Sequence, residues 1–313
     1  MPRSTTKSWI TSVDLSNGYK RGAFLKREQN FVGDAGDVKY SQAGGMFAAY
    51  LLTGDGRLID KIKAVTNLVD YEVSFRLLPY AQTSGLYTER QLATGLAAYA
   101  YAYEATGDAT YKAKLKAAVD GMWTDINSPP SGYPSVTDMA GVLLHRPEVH
   151  EGDTQKNGDM IMSPWMSALM CDVLMHYYLL SDDTHALNFM NNYAMFVLNK
   201  GLYDATKDVG YWVPWYIAGF KTGYTDSGSW ADIEHTPDVM GLLARGRWAR
   251  TKLGLAADAN LETAITRLRT AAIYDFGDAI RTTAGYPRFR AAPTRRVNWW
   301  LGTNESLTFF NVQ

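Results

Sequence analysis

A single cysteine, Cys171, stands in 313 residues, so no disulfide can form within the chain. The disulfide-stapled class of fold is therefore excluded. Cys171 falls in the apolar run Met166–Leu180, the setting of an inert, buried thiol rather than a nucleophile. Charge of one sign is lacking too: 31 Lys and Arg face 32 Asp and Glu, a net charge of −1. No global field draws this chain to nucleic acid or to an anionic membrane, and neither is expected as a partner. The longest apolar stretch, Met160–Leu180, is broken by Pro164, Asp172 and His176, which suits a buried helix and not a membrane span. Residues 1–12 carry Arg3 and Lys7 but no apolar segment behind them, so no secretory signal is read. The location expected is the cytosol, a phage-type product released by lysis, or a chain whose leader has been removed. Phosphate-binding glycine loops, nucleophile elbows and basic–aromatic nucleic-acid modules are also missing. His145, Glu148, His150, Glu151 and Asp153 crowd one stretch, yet neither His-Glu-x-x-His nor EF-hand spacing occurs. The reading is no metal centre and no cofactor.

What the chain has in quantity is core and flat aromatic surface. Hydrophobic residues make up 46% and charged residues 20%, enough for a globular core. The 9 Trp and 20 Tyr far outnumber the 11 Phe, and both types pair an apolar face with a polar handle.

An internal repeat organises the sequence. Tyr50-Leu-Leu-Thr53-Gly54-Asp55 returns as Tyr103-Glu-Ala-Thr106-Gly107-Asp108, more loosely as Tyr178-Leu-Leu-Ser181-Asp182-Asp183, and weakly as Trp248-Ala-Arg-Thr251. Gly54 and Gly107 can take the left-handed conformation that ends a helix, and Asp55 and Asp108 can cap the next one. The aromatic residue before each turn is expected to pack on the returning helix. Around the second turn, Leu92, Leu96, Tyr99 and Tyr103 recur at helical spacing, while Tyr111–Met122 is more charged. Pro164–Leu180 against Thr184–Asn199, and Pro237–Thr251 against Leu261–Tyr274, repeat that pattern. The pattern predicts an all-α fold: an α/α toroid, complete or incomplete, of antiparallel helix hairpins with an apolar inner and a more polar outer helix. Residues 1–313 are read as one such domain, with 1–39 and 275–313 irregular and completing or flanking the ring.

The links between pairs, Trp123–Ser163 and Leu202–Glu234, are long, aperiodic and rich in Gly, Pro and aromatics. Long loops on a rigid scaffold usually carry function, and these gather at the N-terminal ends of the inner helices. That rim holds Tyr133, His145, His150, Asp153, Asp159 and Trp165, then Trp212, Trp215, Tyr224, Trp230, Asp232, Glu234 and His235. Glu89 and Arg90 open the second inner helix. The final segment adds Arg281, Arg288, Arg290, Arg295, Arg296, Asn298 and Trp299, a local basic patch in a nearly neutral chain. Indole faces stack on pyranose rings, carboxylates and amides hold hydroxyls, and Arg forks hold acid groups. The expected partner is thus a polysaccharide or oligosaccharide, preferably a uronate. Substrate contacts are assigned to Trp165, Trp212, Trp215, Trp230, Trp299, Glu89, Arg90, Arg288, Arg290 and Asn298. The plainer alternative for Glu89 and Arg90 is an internal ion pair, and for Asp232 and Glu234 a helix cap.

The Tyr-x-x-Thr-Gly-Asp turns, the Pro164-Trp165-Met166 helix start and Asp232-x-Glu234-His235 resemble α/α-toroid carbohydrate-active enzymes. These include the alginate-lyase-like polysaccharide lyases and the unsaturated glucuronyl hydrolases. The resemblance covers most of residues 40–275, although the Asn-Asn-His-x-x-Trp signature of alginate lyases of this shape is absent. It implies an enzyme cleaving glycosidic bonds. For β-elimination a His or Tyr base removes the proton next to a uronate carboxyl, and His235, His150, Tyr133 and Tyr224 are the candidates. For hydrolysis a pair of carboxylates is needed, drawn from Asp153, Asp159, Asp232 and Glu234. Elimination is favoured on account of the Arg patch. A carbohydrate-binding or virion structural domain without catalysis is the alternative from another class.

Overall fold

The computed structural model describes residues 38, 43–76, 88–130, 141–145, 160–204, 212–219 and 235–277. Among these residues, helix, short turn, helix recurs four times: α1 (Ala43–Thr53) with α2 (Arg57–Glu72), α3 (Glu89–Thr106) with α4 (Ala109–Asn127), α5 (Pro164–Ser181) with α6 (Thr184–Phe196), and α7 (Thr236–Lys252) with α8 (Ala259–Gly277). Two compact units divide the chain, Met1–Arg76 with Arg90–Val119, and Leu77–Glu89 with Asp120–Gln313.

The repeated turns work as their residues dictate. Gly54 and Gly107 sit at φ +68° and +70°, and their amides bond the carbonyls of Tyr50 and Tyr103 at 2.8 and 2.7 Å. Asp55 Oδ1 then accepts from the amide of Arg57 at 3.0 Å, and Asp108 Oδ1 from that of Thr110 at 2.9 Å. In the third copy Asp182 takes the left-handed position without being glycine, at φ 56°, and Asp183 caps α6 through the amide of His185. Asp tolerates that region better than most residues because its short polar side chain bonds locally. The fourth turn is longer: Gly254 lies at φ +70° and Asp258 caps α8 through Asn260 and Leu261. Tyr103 meets its returning helix, with Lys112 over its ring at 5.6 Å. Tyr178 instead sets its edge against Trp248 of α7 at 5.4 Å. That departs from the expected contact, because in the second unit α7 packs on α5 and α6 together.

In the first unit, α2 and α3 are held by Tyr99, whose hydroxyl donates to Asp70 at 2.7 Å, while Lys114 bonds the other oxygen of the same carboxylate. Gly95 lets α3 lie close to Phe75 and Val69. In the second unit α5 and α7 are buried nearly all round, as inner helices should be. α7 lies tightest on α6: a Cβ on Gly246 would stand 2.0 Å from the Cβ of Ala194, so the two helices approach nearly backbone to backbone. Arg245, fully buried in α7, reaches Asp172 of α5 at 2.7 Å.

The long links, expected to be aperiodic throughout, hold short ladders. The chain leaves α6 through a π-turn at Val197–Gly201. β1 (Ile161–Met162) then pairs antiparallel with β4 (Ala218–Gly219), and β2 (Leu202–Asp204) with β3 (Trp212–Pro214). These strands are two or three residues long, too short to leave a period-2 trace in the sequence. No described helix is long and apolar enough to cross a membrane.

Candidate functional site

The second unit gathers its polar burial where its inner helices begin. Pro164 at the first position of α5 and Pro237 in the first turn of α7 start both helices with a residue that needs no intrahelical N–H partner. The residues around them are then presented at that end. Trp165, in the first turn of α5, is 2% exposed, and its indole lies flat against the imidazole of His235. The centroids are 4.3 Å apart and the planes differ by 9°. Tyr216 leans on Trp165 at 6.5 Å, and its carbonyl accepts a hydrogen bond from Ser163 Oγ at 2.9 Å.

His235 is the residue before α7, and Asp238 lies in the first turn of that helix. Nδ1 of His235 stands 2.8 Å from Oδ2 of Asp238, both side chains being almost wholly buried. An ionised carboxylate only accepts, so Nδ1 carries the proton and Nε2 is the basic nitrogen. The sequence singles out His235 by its place before Thr236-Pro237, at the start of an inner helix. Asp238 adds a carboxylate acceptor for the Nδ1 proton, which fixes the orientation of the ring.

A second carboxylate–imidazole pair lies in the same unit. Glu89, the first residue of α3, meets Nδ1 of His145 at 2.9 Å, each side chain 1% exposed. The backbone of His145 exchanges two hydrogen bonds with Ile161 of β1, three residues before α5. Burial, and after it the Glu89 carboxylate, hold the phenol of Tyr193 well above its ordinary range.

The remaining candidates fall as follows. Arg90 is buried in the first unit. Trp212 is half-buried with the guanidinium of Arg267 4.3 Å from its ring, so one face of a proposed sugar platform is already covered. Trp215 is half-buried, its amide bonding the carbonyl of Gly201 at 2.8 Å. Tyr133, His150, Asp153, Asp159, Tyr224, Trp230, Asp232, Glu234, Arg281, Arg288, Arg290, Arg295, Arg296, Asn298 and Trp299 lie outside the described residues. Asp238 was missed in the sequence; its three-residue spacing after His235 at a Pro-marked helix start was the available signal. His145 stood in the rim inventory without a partner, because Glu89 is distant in sequence.

Among solved structures the chain is similar to cellobiose 2-epimerase from Bacillus thermoamylovorans B4167, with a TM-score of 0.52 and 15% identity over 87% of this chain and 70% of that one. The fold is the α/α toroid. No protein-family model matches the chain, and no curated protein does. The His235–Asp238–Trp165 constellation lies where α5 and α7 begin, at the other end of α5 from the turn at Asp182.

Proposed function

We propose that this chain is a carbohydrate-processing enzyme that removes a proton from a sugar carbon next to a carboxylate or carbonyl, with His235 as the base. The carrying observation is the Asp238–His235–Trp165 arrangement. It provides an imidazole with a defined tautomer, held by a carboxylate and backed by an aromatic plane. A general base of this kind needs a fixed Nε2 and a partner that stabilises the imidazolium as it forms. The toroid fold, and a structural neighbour named for an epimerase of a disaccharide, support a sugar as substrate.

The base chemistry has two outcomes. On a uronate, Nε2 takes the proton from the carbon bearing the carboxyl, the bond to the glycosidic oxygen at the next carbon breaks, and that oxygen leaves with a proton. A double bond remains. This β-elimination is the reading that the chain's Arg-rich segment supports, since a cation is required beside the carboxyl. On a reducing-end sugar the proton removed from beside the carbonyl is replaced on the opposite face, and the configuration inverts without cleavage. The neighbour's name supports this second reading.

One experiment separates them. Acidic polysaccharides and reducing disaccharides are incubated with the protein in deuterium oxide. Elimination is read as ultraviolet absorbance of the new double bond, and epimerisation as deuterium beside the carbonyl of an otherwise intact sugar. Reducing ends without either signal would overturn proton abstraction and favour hydrolysis by paired carboxylates. Binding without turnover would favour a carbohydrate-binding domain.

A further inference from the structure

Near the opposite end of α5 lie three side chains of metal-ligating type, drawn from two helices. Asp183 caps α6, His185 follows it in the first turn, and Asp120 comes from α4, all within the second unit. One ligand atom from each lies within 4.8 Å of the other two. Nδ1 of His185 is 3.4 Å from Oδ1 of Asp120 and 3.5 Å from Oδ1 of Asp183. It is screened from solvent and makes no hydrogen bond, although the side chain as a whole is 34% exposed.

Those separations are too long for imidazole–carboxylate hydrogen bonds, which run at about 2.7–3.2 Å. They fit a shared ion: two ligand atoms on a tetrahedral zinc at about 2.1 Å stand about 3.4 Å apart. A protonated His185 forming an ion pair would turn its N–H toward one oxygen and close on it. Here Nδ1 stands almost equally far from both.

The surroundings fix the ligands. The indole of Trp123, one turn beyond Asp120 on α4, stacks on the imidazole at 4.8 Å and 20°. Tyr177 of α5 donates to Oδ2 of Asp183 at 2.7 Å, orienting that carboxylate with Oδ1 toward His185. Hydrogen bonds of this kind to ligating carboxylates are what a metal site's surroundings supply. Two carboxylates and a neutral imidazole balance a dication, and their exposure of 34% and 41% at His185 and Asp120 leaves a path of entry.

We propose that Asp120, Asp183 and His185 bind one divalent zinc-type ion, with water completing the coordination. The ion clamps the α5–α6 turn to α4. It is structural, because the 18 residues of α5 separate it from Trp165 by roughly 25 Å.

The test is titration of the metal-stripped, full-length protein with Zn2+ by calorimetry and with Co2+ by absorbance and tryptophan fluorescence. One Zn2+ per chain is expected. Asp120→Asn and His185→Gln should each weaken it at least tenfold while leaving the helical circular dichroism intact. Co2+ should quench a fluorescence component that Trp123→Phe removes. The other histidines make the variants decisive: Zn2+ bound equally well by wild type and both variants would overturn the proposal. So would no binding at all, the outcome expected if these groups form only an ion pair. Should either variant unfold, the Co2+ quenching lost in Trp123→Phe decides, and its absence would overturn the site.

Discussion

Nδ1 of His235 and Oδ2 of Asp238 stand 2.8 Å apart across a single helical turn, so imidazole and orienting carboxylate come from one stretch of four residues. The register of α7 therefore sets the tautomer of His235, and two substitutions probe it separately. His235→Asn keeps a donor toward Asp238 and should leave the fold intact while turnover falls about 10²–10⁴-fold, the usual contribution of a positioned base. Asp238→Asn should lower kcat by about 10²-fold or more and alter the pH profile, because an amide can hold the wrong tautomer. Steady-state kinetics across pH, with circular dichroism of each variant, is the measurement. An Asp238→Asn enzyme with an unchanged kcat and profile would make the pair structural.

Gly246 tests the packing of α7 on α6. An added methyl meets Ala194 Cβ at 2.0 Å, so Gly246→Ala must push the helices apart. The expected loss is about 1–3 kcal/mol, against the usual gain from replacing a helical glycine. Urea unfolding would show it, and Gly246→Ala with Ala194→Gly should recover part of the loss.

Tyr99, Tyr177 and Tyr193 share an alkaline signature. Burial first, and then the Asp70, Asp183 and Glu89 carboxylates respectively, raise all three phenols. A raised value means the folded state holds the proton more tightly. The stability this confers is complete below the unfolded value of about 10 and is lost as pH climbs toward the folded values. Phenolate absorbance should show these three ionising only as helical circular dichroism disappears. All 20 tyrosines titrating together with the helices intact would contradict this.

Cys171 should resist thiol reagents in the native protein. Burial pushes its thiol far up, outweighing the opposite pull of Arg245. Stoichiometric labelling by an aromatic disulfide is expected only in denaturant.

The helix hairpins were legible because their ends are written locally. Gly54, Gly107 and the Asp that follows each act within four residues, and periodicity does the rest. His235 was legible by its position before Thr236-Pro237. The partnerships were not. Glu89 meets His145 across 56 residues, and no period or spacing rule links them. Asp120, Asp183 and His185 escaped for the same reason, since metal-spacing motifs read one segment while this cluster draws on two. Gly246 reads as an ordinary helical glycine until Ala194 is placed against it.

The contrast between local turns and distant ladders bears on the order of assembly. Turns such as Tyr50–Gly54 and Tyr103–Gly107 close over a few residues, at little cost in loop entropy. The hairpins can therefore form early and independently, on the timescale of local contacts. The pairing of Ile161 with Gly219, and the seating of His235 on Trp165, must wait until whole hairpins have docked. The constellation proposed to carry the chemistry is then the last part of this unit to arrive during folding, and recovery of activity should lag behind recovery of helix.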